Sequence, residues 1–342
     1  MKNVLNKTKN YFRCIGTVYE KALERKAIKV KQFDVDKNPA GEVNGEAITG
    51  KIAIRTANGI MTFGVYYSTP SAYPDKDGNY NESRQWAMAK KMMEWVPEIS
   101  GNGETPSEVN VEGTVEINDY NKDGKVYSGL RWRINRAEHS VVENTGCSLN
   151  ATCYIYSIVP EVRNEEETGR LVVTLYGANN KGQCYPITAI VAEDLAKDFE
   201  DAYTAEDTVN FDFDRIMRHV GGTKSGKKAF GKTSAVTVNS GFDVEELIIV
   251  GADEPIEEPD ELTTEDENGN EVEVKTDWIH PATMKKAIKA RAQMLEELKN
   301  KETSTTAKTS SFKAKKAAMT KPKTKTDDDF EGLDDFDEDM PF

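Results

Sequence analysis

The chain has 342 residues, 37% of them hydrophobic, and a formal net charge of −14 at pH 7. This length and apolar content suit two compact domains better than one. No apolar run approaches the length of a membrane span, and residues 1–7 lack the apolar stretch of a secretory signal, so we expect a cytoplasmic protein without a membrane partner.

The acidic charge is concentrated toward the end of the chain. Residues 257–273 and 327–342 each carry nine acids and no bases, whereas bases outnumber acids between these two runs. The first 256 residues are therefore only mildly acidic, and a local basic groove is permitted there.

Four cysteines are present, and their spacing is irregular. They form no CxxC pair and have no histidine cluster nearby, which predicts buried free thiols instead of a metal site or a disulfide framework. These residues are Cys14, Cys147, Cys153 and Cys184.

Residues 9–138 have the pattern of a strand-rich domain with one helix. Segments rich in β-branched and aromatic residues and bounded by Gly, Asn and Pro predict strands over 11–19, 47–56, 60–67 and 109–117. Apolar residues at helical spacing predict a helix over 81–95, which Pro97 closes.

A long β-hairpin is predicted over residues 109–136. Apolar residues alternate along both arms, and residues 121–124 supply the turn between them. The alternating residues are Val109, Val111, Val115 and Ile117 in the first arm and Leu130, Trp132 and Ile134 in the second. This alternation places Trp132 on the core face.

Residues 146–256 repeat the theme, with strands predicted at 151–159, 170–176, 184–191, 208–213, 234–239 and 246–250 and a helix over 192–203. About five short strands with one helix between them is the element count of an OB-fold, a partly open Greek-key barrel. We therefore expect a mainly β protein with two tandem OB-fold barrels, at 9–138 and 146–256, after an N-terminal arm of residues 1–8.

Beyond the barrels, residues 257–279 predict an acidic linker with a turn at 267–270. Residues 280–301 predict an amphipathic helix, whose apolar stripe we expect to pack on the body. The stripe consists of Met284, Ile288, Leu295 and Leu298. Residues 302–326 are mostly Ser, Thr, Ala and Lys, which predicts a disordered linker.

The last sixteen residues, 327–342, form a dense acidic run that cannot fold alone, and we expect a disordered tail that acts as an extended ligand. The run ends in Asp337, Glu338, Asp339, Met340, Pro341 and Phe342. This ending resembles the terminus of bacterial single-stranded DNA-binding proteins, which end in acids, an aliphatic residue, Pro and Phe. Bacteriophage single-stranded DNA-binding proteins likewise carry acidic tails.

The resemblance implies sequence-tolerant binding of single-stranded DNA in replication, recombination and repair, with no enzymatic activity. It also implies that the tail recruits replication, recombination and repair proteins through Asp334, Asp335, Phe336, Asp337, Glu338, Asp339, Met340, Pro341 and Phe342. A pocket flanked by Arg or Lys can hold the Phe342 ring together with its terminal carboxylate. Because its charge mimics DNA, the tail can also occupy a basic groove when DNA is absent.

The hairpin resembles the bacterial proteins in a second way. Its first strand opens with Val109, Val111, Glu112 and Gly113, and Asp123, Gly124 and Tyr127 surround its turn. The chain departs from the bacterial proteins in its greater length and in its N-terminal strand, which lacks their pattern. A bacteriophage protein with two barrels accounts for both departures, and its location would be the cytoplasm of a bacterial host.

Binding a single strand requires aromatic faces for bases and cations for phosphates. The second hairpin arm offers both, because Tyr127, Arg131 and Arg133 alternate to the face opposite Leu130 and Trp132. Tyr120, Lys122 and Lys125 lie near the tip. Further candidates in the first barrel, equally suited to filling core or surface, are Arg55, Tyr66, Tyr67 and Tyr73.

A glycine-rich segment at 221–232 supplies the candidates of the second barrel. A flexible cationic loop with one aromatic residue suits closure over a strand, although a merely solvated loop fits the same residues. The candidates are Lys224, Lys227, Lys228, Phe230 and Lys232.

The same segment contains a formal phosphate-binding loop at 226–233, so a nucleotide-binding protein is an alternative. A working loop of this kind needs a buried strand before it and a helix after it. The preceding residues are polar and glycine-rich and the following ones predict a strand, so this alternative is the less favoured one. No cofactor is expected.

A second formal match is the start of a calcium loop at Asp119, Asn121, Asp123 and Gly124. Leu130 stands where such a loop needs Glu, and the flanks predict strands, which favours a hairpin turn. The three histidines are far apart in sequence and accompany no nucleophile or metal cluster. We therefore expect no catalytic site and no metal site.

Two related functions remain open at this point. A strand-annealing protein or an RNA-binding adaptor can carry the same acidic tail, and the sequence does not separate either from a DNA-binding protein.

Overall fold

The computed structural model describes residues 5–76, 78–122, 124–141, 143–163, 165–179, 181–223, 239–259, 263–265, 271–273 and 276–313. The candidate DNA contacts in the segment from Lys224 to Lys232 lie outside these described residues, and so does the whole acidic tail at 327–342.

Five antiparallel strands and one helix form the first barrel. The elements are β1 (Asn10–Phe33), β2 (Pro39–Thr56), β3 (Gly59–Thr69), α1 (Arg84–Glu94), β4 (Glu108–Lys122) and β5 (Lys125–His139). Strand β1 pairs with β2 and β4, β2 pairs with β3, and β4 pairs with β5.

The first barrel is open along one line. In the described residues no ladder joins β3 to β5, and we call this opening the seam. The Tyr67 hydroxyl of β3 crosses it and donates a hydrogen bond to the Ile134 carbonyl of β5.

The second barrel is closed by hydrogen-bonded strands all the way round. Its elements are β6 (Gly146–Arg163), β7 (Glu166–Ala178), β8 (Cys184–Val191), a 3₁₀ turn (Glu193–Leu195), α2 (Ala196–Ala202), β9 (Thr208–Thr223) and β10 (Asn239–Ala252). The strand order around the barrel is β6, β7, β8, β10 and β9, and the β8–β10 pair is parallel. This order, with a helix between the third and fourth strands, is that of an OB-fold.

The first barrel has the same strand order and the same helix position. The predicted fold class, mainly β with two tandem OB-fold barrels and a C-terminal helix, is therefore confirmed.

Alternate residues of the strands fill the barrel interiors, as the two-residue period of a strand requires. In β1 the inward residues are Phe12, Cys14 and Val18, all fully buried. Trp132 is 5% exposed and belongs to the core, as predicted. All four cysteines are buried and free, which confirms the expectation drawn from their spacing.

The two barrels share a strand junction. Residues 10–15 of β1 pair with residues 146–151 of β6, so that ten strands belong to one continuous sheet. Independent folding of two domains at the predicted boundaries 9–138 and 146–256 stays a prediction.

The C-terminal helix α3 (Pro281–Lys313) follows two short paired strands, β11 (Thr263–Glu265) and β12 (Glu271–Glu273). Its first turns pack on the outside of the second barrel, where they form a small separate core. The buried members of this core are Leu5, Tyr154, Ala178, Cys184, Ile279 and Met284. Met284 and Ile288 of the apolar stripe therefore pack on the body, as expected, and Leu295 and Leu298 are half-buried. None of the helices in the described ranges has the length and hydropathy of a membrane span.

Three predicted elements differ most from the structure in their boundaries. Strand β1 continues from Tyr19 to Phe33, because its outer half pairs with β2 as an arm whose two faces are largely exposed, so that no apolar alternation marks it. Helix α3 continues through residues 302–313, which were expected to be disordered, since no Gly or Pro interrupts a stretch that also contains the helix formers Lys and Ala.

The third concerns β9, which continues to Thr223 and takes in the start of the predicted loop at 221–232. The strands predicted at 234–239 and 246–250 fall on a single strand where the structure describes them, since β10 runs from Asn239 to Ala252. The long β9–β10 ladder, from Thr223 and Asn239 inward, is the reason, because it extends the hairpin beyond the barrel.

Candidate nucleic-acid interface

The most exposed aromatic pair of the first barrel lies at the tip of the β4–β5 hairpin. Tyr120 and Tyr127 stand directly opposite each other in the ladder. Their rings stack with centroids 5.2 Å apart and planes 14° apart, and each residue is 43% exposed. Since the two rings cover only one face of each other, the two outer ring faces remain available to further planar groups.

Cations follow the tyrosines along the same face of the hairpin. Gly129, Arg131 and Arg133 occupy alternate positions after Tyr127, so their side chains share its face. Arg133 forms an ion pair with Glu116 at 3.2 Å. Arg131 forms no ion pair with any residue that the structure describes.

The two remaining hairpin candidates lie at the turn. Lys122 and Lys125 are the last and first residues of β4 and β5, and both are exposed. Together with Arg131 and Arg133 they give the face four cations against Glu116.

Both arginines lie close to the seam. Burial raises the pKa of the Tyr67 hydroxyl to about 12, and the charges of Arg133 and Arg131 act on it in the opposite direction. Tyr67 itself is only 7% exposed, so of the two roles that the sequence left open for it, the structure shows the one in the core. Its ring belongs to the core because it follows Phe63 and Val65 on the inner face of β3.

The opposite face of the hairpin is occupied by α3. Arg291 donates to both carboxylate oxygens of Asp119, at 2.7 and 2.9 Å, and to the Ser128 hydroxyl at 2.8 Å. The Asn121 amide donates to the Leu298 carbonyl at 3.0 Å. The hairpin therefore has one face bound by the helix and one face exposed.

Asp119 is the first residue of the formal calcium loop, and both of its carboxylate oxygens accept hydrogen bonds from Arg291. Among the described residues there is no group of three or more His, Cys, Asp or Glu side chains placed to hold a metal ion.

Three further candidates lie apart from the tyrosine pair. Arg55 is bound to Glu98 at 2.9 Å and lies 4.4 Å from the Tyr19 ring centroid. Tyr73 stacks on Phe33 at 5.2 Å, near the end of the β1–β2 arm. Tyr66 is half-buried on the outer side of β3, opposite Thr49. The structure does not bring Arg55 or Tyr73 to the hairpin.

A cleft of about 330 Å³ lies where the seam meets the second barrel. Residues of β3, β4, β5, β9 and β10 line it: Thr62, Gly64, Asn118, Leu130, Arg131, Trp132, Arg215, Met217 and Glu245. Of these residues the sequence analysis proposed only Arg131 as a contact.

Arg215 of β9 is the most deeply placed charged residue of the cleft, with a side chain only 4% exposed. Its guanidinium carbon lies 4.4 Å from the Trp132 ring centroid, and two of its nitrogens donate to the Glu245 carboxylate at 3.0 and 2.8 Å. A signal for it was present, because Arg215 continues the inward alternation of Phe211 and Phe213. An arginine in phase with core residues predicts a buried, paired cation.

The cationic loop candidates of the second barrel, from Lys224 to Phe230 and Lys232, lie outside the described residues. The strands on either side of them, β9 and β10, pair antiparallel up to Thr223 and Asn239. A phosphate-binding loop instead joins a buried strand to a helix, so the described flanks do not supply that context.

Comparison with known proteins identifies a family. A model of the YorF family matches residues 9–301. This chain belongs to the YorF family. The match covers both barrels and reaches into α3, so the architecture described above lies within the family model. No match was found among curated proteins.

Two solved structures with a distant likeness are versions of the single-stranded DNA-binding protein from Thermus aquaticus. The wild-type protein is 12% identical, with a TM-score of 0.36, over 75% of this YorF family chain and 97% of the other. A deletion mutant of the same protein is 13% identical, also with a TM-score of 0.36, and the match covers 75% of this chain and 99% of the other. At this TM-score the likeness carries no argument about binding.

Proposed function

We propose that this protein binds single-stranded DNA without sequence preference, on the exposed face of the β4–β5 hairpin. The observation that carries the proposal is the stacked, exposed pair of Tyr120 and Tyr127 on the same face as Arg131, a cation without an ion-pair partner in the described residues. The protein acts as a binding protein, and no catalytic role is proposed for any residue.

Stacking on the two tyrosines requires unpaired bases. Bases in a duplex are already stacked on their neighbours, whereas those of a single strand can lie against a ring, at a gain of roughly 1–3 kcal/mol per base. Every base has such a planar face, so this contact is tolerant of sequence. It favours a single strand over a duplex.

The charges of the same face suit the phosphates of that strand. Lys122, Lys125, Arg131 and Arg133 follow the hairpin from its tip to the seam, and only Arg133 is neutralised by a neighbour that the structure describes. The location agrees with the general use of the OB-fold, whose loop between strands four and five takes part in oligonucleotide binding.

The biological role is proposed from the tail. Acids followed by Met340, Pro341 and Phe342 suit a pocket that holds a ring and a carboxylate together. We place the protein in DNA replication, recombination and repair, in the cytoplasm of a bacterial host if a bacteriophage encodes it. The tail at 334–342 would then recruit the enzymes of these processes.

The DNA-binding proposal is tested by titrating a fluorescent oligo(dT) with the full chain and with Tyr127→Ala. Loss of one stacked base predicts an affinity roughly 5- to 150-fold lower, from about 1–3 kcal/mol per base. Tyr156→Ala is the matched control, since Tyr156 is 49% exposed but lies on β6 of the second barrel. Its affinity should equal that of the unaltered chain.

Two further measurements separate the alternatives. Three to four phosphate contacts predict a slope of about −2 to −3 in the logarithm of affinity against the logarithm of salt concentration. Duplex DNA and RNA of equal length should compete poorly with oligo(dT). Equal loss of affinity in the two tyrosine variants would contradict the placement, and equal competition by RNA would contradict the preference for DNA.

Recruitment is tested separately from binding. A chain that lacks Met340–Phe342 should retain its affinity for oligo(dT) but lose replication proteins in a pull-down on immobilised DNA. Recovery of the same proteins by both chains would show that the terminus has no such role.

A further inference from the structure

The cleft at the seam has two apolar walls. The half-buried Leu130 of the first barrel forms one wall, and the half-buried Met217 of β9 in the second barrel forms the other. Trp132 also lines the cleft but is only 5% exposed, because the Arg215 guanidinium lies over its ring. An apolar slot of this kind accepts a flat, partly apolar group such as a ring.

Polar groups with free hydrogen-bonding capacity lie on the same walls. In the described part of the chain neither the Thr62 hydroxyl nor the Asn118 amide has a hydrogen-bond partner. A hydroxyl and an amide both donate and accept, so they can bind the polar edge of a heterocycle.

The net charge of the cleft is positive. Glu245 is the one acid among its lining residues, and Arg215 neutralises it through two hydrogen bonds. Arg131 remains as an uncompensated cation, and the buried Nη1 of Arg215 has no hydrogen-bond partner within the described residues. An anionic ligand is therefore favoured over a neutral or cationic one.

The volume of the cleft and its position beside the tyrosine face restrict the kind of ligand that it can hold. A volume of about 330 Å³ is at the lower end of the roughly 300–1,000 Å³ of small-molecule sites. Arg131 belongs both to the cleft and to the face that carries Tyr127, two alternate positions away. A strand lying on the tyrosines would thus reach the cleft within a few nucleotides.

From these four observations we infer that the cleft binds one nucleotide of the strand, with its base between Leu130 and Met217 and its phosphate on Arg131. This deepens the proposed function and depends on it for the strand. Because the walls come from both barrels, the bound nucleotide contacts both.

The inference is tested with deoxythymidine monophosphate, a single nucleotide that cannot bridge to the tyrosines. Its binding to the full chain is measured by calorimetry beside that of thymidine, which lacks the phosphate. Gly64 lines the cleft, has an ordinary backbone conformation, and an added Cβ there meets nothing within 4 Å. Gly64→Leu therefore fills the cleft while leaving the strand intact.

Saturable binding of the monophosphate, tighter than that of thymidine, is expected. Gly64→Leu and Arg131→Gln should each weaken it at least tenfold. Gly146→Leu is the matched control, because Gly146 also has open space around an added Cβ but does not line the cleft. Its binding should be unchanged. Far-UV circular dichroism shows whether each variant folds, and Arg131→Gln decides the matter if Gly64→Leu does not.

The outcomes separate this inference from the proposed function. If the unaltered chain binds oligo(dT) but not the monophosphate, or if Gly64→Leu and Arg131→Gln bind the monophosphate as well as it does, the inference is wrong and the proposed function stands. If the monophosphate binds as expected and oligo(dT) does not, the cleft is a nucleotide site and the proposed function is wrong. If neither ligand binds, both are wrong.

Discussion

Arg215 is a residue of one barrel that packs into the other. It belongs to β9 of the second barrel, yet its guanidinium lies against Phe63 and Trp132 of the first. A charge so far from water is tolerated because Glu245 and two aromatic rings replace its hydration. Arg215 therefore contributes both ring packing and an ion pair to the contact between the barrels.

Replacing this arginine should destabilise the protein. Arg215→Ala removes desolvated cation–π contacts and charged hydrogen bonds, which together predict a loss of roughly 2–4 kcal/mol in the free energy of unfolding. Arg136→Ala is the control, since Arg136 is also ion-paired but its side chain is 65% exposed. It should cost less than about 1 kcal/mol. Urea unfolding measures both, and equal values would show that burial of Arg215 contributes nothing.

At the scale of elements, α3 holds the β4–β5 hairpin to the second barrel. The Arg291–Asp119 pair has both side chains only 7% exposed, and the same helix inserts Met284 into the small core on β6 and β8. Without α3 the outer part of the hairpin would be a two-stranded ribbon, which is marginally stable alone. The helix therefore fixes the direction in which the tyrosine face points.

The buried pair permits a double-mutant cycle. Arg291→Met should cost about 3–5 kcal/mol of unfolding free energy, because it leaves the Asp119 carboxylate buried without a partner. Arg291→Met combined with Asp119→Leu should recover most of that loss, since apolar groups of similar volume need no partner. Denaturant unfolding of both single variants and the double variant gives the coupling. A double variant as unstable as the sum of the singles would contradict a direct interaction.

These elements were predictable from the sequence to different degrees. The β4–β5 hairpin was predicted nearly in full, because Val109 to Ile117 and Leu130 to Ile134 alternate between core and solvent. The β1–β2 arm was missed beyond Tyr19, since a strand without a core beneath it has no apolar phase to detect. The end of α3 was missed because residues 302–313 are mostly Ser and Thr, which are weak helix formers, and carry no apolar stripe.

The candidate site divides in the same way. Tyr127 and Arg131 share a face through local alternation, and the sequence predicted this grouping. Tyr120 was predicted only to lie near the tip, and its place opposite Tyr127 comes from the ladder. The cleft was not predicted, because Thr62, Asn118 and Arg215 are brought together by pairings far apart along the chain. Tyr67 faces inward because it continues the alternation of Met61, Phe63 and Val65 along β3. The sequence carried this signal, but Tyr66 and Tyr67 were given the same role.

At the scale of the whole molecule, the two barrels share a sheet. Strand β1 pairs with β6 over six residues, and Arg215 packs across the same junction. An interface built from strand pairing and buried charge links the stability of its two sides, so opening one barrel exposes surface of the other.

We therefore expect the two barrels to unfold in one transition. Trp86, Trp95 and Trp132, three of the four tryptophans, are buried in the first barrel, so fluorescence reports mainly on it. Far-UV circular dichroism reports on both barrels. The two probes should give the same urea midpoint for the full chain. Separate midpoints would instead support two independently folding domains at 9–138 and 146–256.

The two faces of the β4–β5 hairpin have a consequence for how this protein can change. The side chains of residues 119, 121 and 128 contact helix α3, so their identity is constrained by that packing. Residues 120, 127, 129 and 131 lie on the opposite face, where they are open to a ligand from solution. Adjacent residues of the hairpin lie on opposite faces, so a substitution at one need not affect the contacts of the next. Substitutions at alternate residues of the hairpin can therefore change the affinity for a ligand without disturbing the packing of the hairpin on α3.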